Sequence, residues 1–322
     1  IDQALELFKE AYEGRSRVHG AAHPVTLQSA SNYAQVLAQS GDRDRGNAIM
    51  RESLESMSMA MGEDSTSVLT VASNLSVQLT QAGEYEEAER LALDTLARRR
   101  RVLGDSHPDT LVSFNVASYV YRTQGLQEKA EPYLRTALRV ATETLGHDHP
   151  DRLIYLFNVG SISVSLGRTD EAISLLGETA TRGSSVLGLR HPTTSRALGR
   201  VSELIHTEGR HAELIELLVP MIPLARTEAD AGERSSLGPI LYSVGRAQSL
   251  LGRWHEAETS LAEAFALAQE SGESGRALRN ACTRLLVDHF TRRDATSPGQ
   301  GFAERAREWE ARLSPQHEAG PE

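Results

Sequence analysis

The phrase LGDSHPDTL, at residues 103–111, returns as LGHDHPDRL at 145–153 and as LGLRHPTT at 187–194. In each copy a Leu-Gly pair is followed, two residues later, by His-Pro. Gly ends a helix because it adopts a positive φ without strain, and Pro suits the first position of the next helix, where its missing N–H costs nothing. The phrase therefore predicts a helix end and a helix start, with the His next to the cap and packed between repeats. At 65–66 the equivalent pair is Ser-Thr, two residues that also cap helices.

Glycine and other small residues recur along the chain at an interval of 42 residues. Two glycine rows are Gly20, Gly62, Gly104, Gly146 and Gly188, and Gly41, Gly83, Gly125, Gly167 and Gly209. Two rows of small residues are Ala34, Ser76, Ser118, Gly160 and Ser202, and Ala4, Gly46, Ala88, Ala130 and Ala172, the second being interrupted by Leu214. A fixed period of this length is typical of repeat arrays built from one supersecondary unit.

Between the glycines, the apolar residues follow a helical spacing, as at Phe114, Ala117 and Tyr121. Gly125 follows this stretch, at a point where the chain must reverse. Each unit is therefore predicted to be two antiparallel helices of about 16–18 residues, about 25 Å long. Because no pair can bury both faces alone, the pairs must stack. The sequence predicts an all-α fold, an α-solenoid of stacked antiparallel helix pairs.

The same signals predict how the chain is divided. A repeat array is expected over 1–272, made of a half repeat at 1–20 and pairs at 23–62, 65–104, 107–146, 149–188, 191–229 and 233–272. A capping helix pair is expected over 273–313 and a flexible tail over 314–322. Pro220 and Pro223 fall inside a predicted helix of the fifth pair, so a change of curvature is predicted near 220–232.

Two stretches carry a family resemblance: NLSVQLTQAGEYEEAERLALDTLARRRRVLG at 74–104 and HPDTLVSFNVASYVYRTQGLQEKAEPYLRTALRVATETLG at 107–146. They resemble the tetratricopeptide repeat in its 42-residue, kinesin-light-chain-like form. That resemblance implies a right-handed superhelix with a concave groove for extended peptides. The stretch LLVDHFTRRDATSPGQGFAERAREWEARL, at 285–313, resembles the end of repeat regions attached to bacterial serine/threonine kinases. It implies the regulatory or recruiting part of a larger bacterial signalling protein, although the chain has no kinase residues of its own.

The resemblance also implies that the first helix of each pair lines the groove. Position by position, the candidate partner-binding residues are Asn32, Asn74, Asn115, Asn158, Gln35, Gln81, Tyr119, Arg122, Arg196, Arg200 and Arg246. An Asn amide can donate to and accept from a peptide backbone, and Arg can hold a carboxylate through two hydrogen bonds. Glu203 is the one acid found in this set, so we expect a mildly acidic partner segment with its acidic part towards repeats three to six. Alternatively, the Asn row is structural and bridges adjacent helices.

Composition and motifs narrow the classes of function. The net charge of −10 argues against a nucleic-acid partner. No nucleotide loop, nucleophile–base set or zinc spacing occurs, so we expect no enzyme, catalytic residue, cofactor or metal site. The run His147-Asp148-His149 falls on the helix-start grid and is interpreted as structural. No apolar run approaches the length of a membrane span, so we expect no membrane insertion and a cytoplasmic location.

Three further features have simple interpretations. The run RRRR at 98–101 is interpreted as a solvated helix end, where cations suit the helix dipole. The methionines Met50, Met57, Met59 and Met61 are interpreted as packing between repeats, with a soft binding surface as the alternative. Cys282 is expected to be a buried, inert thiol.

The sequence therefore predicts a non-enzymatic scaffold for protein–protein interaction that binds a protein or peptide. The alternative is a regulator whose superhelix changes curvature when a peptide or metabolite binds. The partner's identity and the oligomeric state stay open.

Overall fold

A computed structural model describes residues 2–21, 23–230 and 236–313 of the chain. Their contacts divide the chain into unit 1, Ile1–Arg168, and unit 2, Thr169–Glu322. Within the described residues every regular element is a helix, and no strand is found. The predicted all-α fold with consecutive paired helices is thus confirmed. The predicted tail at 314–322 lies outside the described residues.

Unit 1 is a series of helices in which each helix packs against the next in sequence. The first helices of its pairs are α2, α4, α6 and α8. The helices are α1 Asp2–His19, α2 Pro24–Ser40, α3 Arg43–Met61, α4 Thr66–Ala82, α5 Tyr85–Leu103, α6 Pro108–Thr123, α7 Gln127–Leu145 and α8 Pro150–Ser165.

Unit 2 is less regular, because one of its helices is short and is followed by a 3₁₀ turn at Val219–Met221. The first helices of its pairs are α10, α13 and α15. The helices are α9 Thr169–Val186, α10 Pro192–Thr207, α11 His211–Leu218, α12 Ile222–Asp230, α13 Leu237–Leu250, α14 Trp254–Glu270, α15 Arg276–Thr296 and α16 Phe302–Glu310.

The rows of small residues allow paired helices to meet closely. A Cβ added at Gly46 of α3 would lie 2.9 Å from the backbone oxygen of Ala34 in α2, so the two helices are in contact through their backbones. Larger apolar side chains fill the space between neighbouring pairs. Met50 and Met57 are fully buried there, whereas Met59 is 83% exposed. The packing interpretation therefore holds for the first two methionines and is wrong for Met59 and for Met61, which is 43% exposed.

The repeated His residues are themselves the helix caps. The Nδ1 atom of His107 accepts a hydrogen bond of 3.1 Å from the backbone N–H of Asp109, and this satisfies one of the free donors of the first turn. The sequence placed His107 next to the cap, whereas in the structure its ring is the cap itself. Ser65 occupies the same place before α4 but makes no capping hydrogen bond through its side chain. Equivalent caps are His23, His149 and His191.

The two glycine rows end helices in two different conformations. Gly41, after α2, has φ 98° and ψ −8°, which is left-handed helical. Gly104, after α5, has φ 85° and ψ 166°, a region that is essentially restricted to glycine. The predicted positive φ is therefore present in both rows, but Gly41 forms the left-handed cap and Gly104 does not.

One arginine of the RRRR run is part of the core. Arg99 is only 3% exposed. Its guanidinium donates to the backbone oxygen of Asp109 at 3.0 Å, to Ser113 Oγ at 2.9 Å and to Thr70 Oγ1 at 3.0 Å. The solvated interpretation is wrong for Arg99, because its position on α5 faces the start of the next repeat. The solvated interpretation is consistent with Arg101, which is exposed and forms an ion pair with Asp64 at 2.5 Å on the surface.

The second half of the fifth pair is broken at its prolines. Helix α11 ends at Leu218 after eight residues, the 3₁₀ turn carries Pro220, and α12 begins beside Pro223. Each proline lacks the N–H that would continue the helical hydrogen bonds. Part of the region of predicted curvature, residues 231–232, lies outside the described residues.

Candidate partner-binding face

In unit 1, two of the predicted amides bind each other. The Nδ2 group of Asn158 on α8 donates to Oδ1 of Asn115 on α6 at 3.0 Å. Both residues are half-buried. At this pair the amides bridge the first helices of adjacent repeats, as in the structural alternative for the Asn row.

Other predicted amides surround a cavity in the same unit. A space of about 290 Å³ lies between α2 and α4 and is lined by Gln28, Ser31, Thr70 and Asn74, among others. Asn74 is exposed at this cavity. Asn32 is next to it along α2 and accepts a hydrogen bond of 3.2 Å from Gln28 Nε2. The amides of the first two pairs therefore border one polar cavity.

The remaining candidates of unit 1 are dispersed. Gln35 and Gln81 are exposed on α2 and α4, and neither lines the described cavity. Tyr119 and Arg122 are half-buried on α6. The structure therefore assembles only part of the predicted set in this unit.

In unit 2, two cavities lie along the first helices. We call the larger one the leucine cavity; it measures about 470 Å³ and lies between α10, α11 and α13. We call the second one the arginine cavity; it measures about 420 Å³ and is lined by residues of α13 and α15 together with His206. Three side chains, His206, Tyr242 and Arg246, line both cavities and so stand between them.

The predicted arginines of unit 2 occupy different places. Arg246 lines both cavities, and its Nη1 lies 3.8 Å from Oε2 of Glu203. Arg196 and Arg200 are exposed on α10 beside the leucine cavity but are not part of its lining. Neither of these two forms an ion pair with another residue in the described part of the chain.

Sequence reasoning missed several charged residues of this face. Arg190 lines the leucine cavity, and Arg284 and Arg292 line the arginine cavity. Asp288 is also there and pairs with Arg292 at 2.9 Å. Helix α15 was predicted only as a cap. Its spacing of Ala281, Arg284, Leu285, Asp288 and Arg292 is that of one helix face, and this signal could have identified them.

Charge around the two cavities is opposite in sign to that of the whole chain. Their lining contains Arg190, Arg246, Arg284 and Arg292 against Glu203 and Asp288, although the chain carries a net charge of −10. Burial lowers the pKa of His206, and the nearby Arg246 lowers it further. His206 is therefore neutral at pH 7 and contributes hydrogen-bonding capacity without charge.

The described residues contain no group of three or more His, Cys, Asp or Glu placed to hold a metal ion. Cys282 is fully buried, and burial raises the pKa of its thiol to about 12. The thiol is therefore protonated and unreactive at neutral pH. Among the described helices, none has both the length and the hydropathy to span a bilayer.

Comparison with known proteins identifies the type of repeat in the middle of the chain. The tetratricopeptide repeat family model matches residues 67–143 and 120–182. Residues 67–182 therefore consist of tetratricopeptide repeats, and the helices of both units are paired in the manner of that repeat. The paired helices are similar in fold to those of a kinesin-light-chain-type structure. Repeats of this class form a protein–protein interaction scaffold, which is generally non-catalytic. No curated protein matches the sequence.

Three solved structures illustrate the shared fold. A kinesin-light-chain-type protein from Podosopora anserina, with nearly identical TPR-like repeats, has a TM-score of 0.50 and 22% identity over 64% of this chain and 97% of that one. BtubC (BKLC) from P. vanneervenii has a TM-score of 0.55 and 13% identity over 84% and 92%. The C-terminal part of a TPR repeat-containing protein from Cytophaga hutchinsonii has a TM-score of 0.59 and 12% identity over 89% and 96%.

Proposed function

We propose that the chain binds an extended, mildly acidic segment of a partner protein along the first helices of its pairs. The single observation that carries this proposal is the set of arginines on α10, α13 and α15 of unit 2. Arg196 and Arg200 are exposed and have no ion-pair partner among the described residues. A guanidinium group that has no ion-pair partner can bind a carboxylate through two hydrogen bonds, because no existing ion pair has to be broken first.

The amides of unit 1 support the backbone part of this proposal. Gln28 and Asn74 are exposed around one cavity. An exposed amide can donate to a peptide carbonyl and accept from a peptide N–H at the same time. In this proposal, Gln28, Asn32 and Asn74 hold main chain, whereas Asn115 and Asn158 are committed to each other.

Fluorescence anisotropy with two peptide pools tests the proposal. One pool consists of labelled random peptides rich in Asp and Glu, and the other replaces these residues by Asn and Gln. We expect the acidic pool to bind more tightly, and the double variant Arg196→Ala, Arg200→Ala to lose about tenfold in affinity for it. The matched control is Arg139→Ala with Arg253→Ala, two exposed arginines on second helices or their caps. Equal binding of both pools, or equal loss in the control, would refute the proposal.

We also propose that this scaffold serves a larger bacterial signalling protein, with a serine/threonine kinase as the example. Support comes from the resemblance of 285–313 to the end of kinase-linked repeat regions. A photo-cross-linking residue placed at Arg200 tests it in living cells. Recovery of a signalling kinase or its substrate supports the role, whereas recovery only of proteins unrelated to signalling contradicts it.

The alternative function is ligand sensing through a change of curvature. One observation favours it: the leucine cavity lies beside the break between α11 and α12. A ligand that prefers one arrangement of neighbouring helices shifts the population towards that arrangement. Small-angle scattering tests this directly, because a sensor changes its radius of gyration with ligand and a plain scaffold does not.

A further inference from the structure

The residues that depart from the repeat pattern meet in one place. Leu214 occupies a row in which the other pairs have Gly or Ala. Gly199 occupies a row in which the other pairs of constant spacing have Ser31, Ser73, Asn115 and Phe157. Both residues line the leucine cavity, as does Leu218, the last residue of α11 before the break.

These departures explain why the cavity is open. A Cβ added at Gly199 would meet no atom within 4 Å, so the missing side chain leaves real space. In the first pair, Gly46 lets α3 touch the backbone of α2, whereas the equivalent residue of the fifth pair is Leu214, a larger side chain that is buried between the helices. Helix α11 stops at Leu218, where the chain passes into the 3₁₀ turn at Val219–Met221. The cavity is thus a consequence of particular residues in this repeat.

The lining divides into an apolar floor and a polar rim. The floor consists of Leu189, Leu198, Leu214, Leu218 and Ile240. The rim includes Arg246 and Glu203, whose side chains are 35% and 71% exposed. Their separation of 3.8 Å is too long for a hydrogen bond, and an exposed pair of this kind contributes little to stability. A carboxylate of better geometry can therefore replace Glu203 as the partner of Arg246.

We propose that the leucine cavity binds a small amphipathic carboxylate, with an alkyl or aryl body on the leucine floor and its carboxylate on Arg246. The volume of about 470 Å³ lies within the usual range of small-molecule sites. Arg190 adds a second positive charge at the lining, which favours an anion over a cation. Tyr242 and Ser243 offer hydroxyl groups to the head of the ligand. This site shares Arg246 with the acidic-segment proposal but does not involve Arg196 or Arg200, and it gives the ligand-sensing alternative a chemical class of ligand.

Calorimetric titration of the full chain with three eight-carbon probes tests the charge requirement. The probes are octanoate, octanol and octylammonium, which share one alkyl body. We expect saturable binding of octanoate, and affinities about tenfold or more lower for the other two. Octanoate that fails to saturate, or that binds no better than octylammonium, overturns the proposal.

Variants then locate the site. Gly199→Leu fills the cavity, and we expect it to weaken octanoate binding by about tenfold or more. Its matched control is Gly14→Leu on α1, another helical glycine where a Cβ meets no atom within 4 Å; this variant should bind as the native chain does. Arg246→Met should weaken octanoate but not octanol. Circular dichroism verifies that all variants are folded. Unchanged octanoate binding in Gly199→Leu overturns the assignment to this cavity.

The two proposals can fail separately. The Arg196→Ala, Arg200→Ala variant should keep its affinity for octanoate, because neither residue lines the leucine cavity. Loss of acidic-peptide binding in that variant, with octanoate unaffected, supports both proposals. Loss of octanoate binding in that variant counts against the cavity as the binding site.

Discussion

Asn158 on α8 donates a hydrogen bond of 3.0 Å to Asn115 on α6, and so joins the first helices of two adjacent repeats. The two positions are separated by 43 residues, one more than the repeat. Asn158 therefore bonds to the residue one position before its own equivalent in the preceding repeat. Two amides that the sequence predicted to bind a partner are therefore hydrogen-bonded to each other.

The first prediction is that Asn115 and Asn158 are energetically coupled. Asn115→Ala and Asn158→Ala should each lower the free energy of unfolding by about 1 kcal/mol, because each leaves one half-buried amide without its partner. The double variant should lose about 0.5–1 kcal/mol less than the sum. Urea unfolding followed by circular dichroism measures the cycle. Asn74→Ala, at an exposed position, is the control and should change stability by less than about 0.5 kcal/mol. Strict additivity would show that the bond contributes nothing.

The second prediction concerns the contact of α2 with α3. Gly46→Ala should destabilise unit 1 by about 1–3 kcal/mol, because the new Cβ would approach the backbone oxygen of Ala34 to 2.9 Å. Gly14→Ala should instead stabilise by about 0.5–1 kcal/mol, since Ala favours a helix and the position is open. Thermal unfolding compares the two variants. A stabilising Gly46→Ala would mean that α2 and α3 can separate without cost.

The third prediction concerns the buried guanidinium of Arg99. Arg99→Ala should cost about 2–4 kcal/mol, because hydrogen bonds to Ser113, Thr70 and the backbone are lost together with the packing of the side chain. Arg99→Met should cost about half as much, since the fully buried Met57 occupies the same place one repeat earlier.

Urea unfolding provides the measurement for this series. Arg101→Ala, which removes a surface ion pair with Asp64, is the control and should change stability by less than about 1 kcal/mol. Equal losses in the Ala and Met variants would show that the hydrogen bonds, and not the packing, decide the stability at Arg99.

The fourth prediction is an acid sensitivity of unit 2 that depends on His289. This side chain is fully buried against Trp254 and Phe290, and its Nδ1 lies 3.0 Å from Ser249 Oγ. Burial lowers its pKa from 6.5 to about 4. Between about pH 6.5 and 4, His289 is therefore protonated in the unfolded chain but not in the folded chain. The free energy of unfolding accordingly falls as the pH falls from about 6.5 towards 4. The loss attributable to His289 reaches about 3 kcal/mol.

Replacement of His289 by Gln should flatten this pH dependence, because Gln does not titrate and can still bond Ser249. Urea unfolding at pH 7.5 and pH 4.5, followed by tryptophan fluorescence, measures it. Both tryptophans of the chain, Trp254 and Trp309, are in unit 2, so the signal reports on that unit. His255→Gln, at an exposed position on α14, is the control and should keep the slope of the native chain. A similar slope in His289→Gln would exclude His289 as its source.

Most of the fold follows from local signals in the sequence. Gly104 and Pro108 determine where one helix ends and the next begins, and Gly46 indicates where helices must approach closely. Each of these signals depends on only a few neighbouring residues, so the helix boundaries can be predicted from the regular spacing of Gly and Pro alone. The cap formed by His107 escaped prediction only because the ring nitrogen is an unusual acceptor at this place.

The site was less predictable, because it depends on how neighbouring helices are rotated. The sequence places Asn115 and Asn158 on comparable helices, but only the structure shows that their amides meet. Arg99 on α5 is likewise buried because the first helix of the next repeat packs over it, and this contact is not visible in the sequence. The leucine cavity is lined by residues that depart from the repeat pattern, such as Gly199 and Leu214. The repeat pattern predicts the regular contacts between helices, but it does not predict a cavity formed by residues that depart from it.

The cap at His107 also bears on how such chains change length during evolution. Its hydrogen bond reaches only Asp109, so the cap itself is formed within a single turn. A block of 42 residues copied from one repeat into the next brings its own start and its own stop. Duplication can therefore lengthen unit 1 by one helix pair at a time, and recombination between copies can shorten it again, without any new side chain having to arise at the junction.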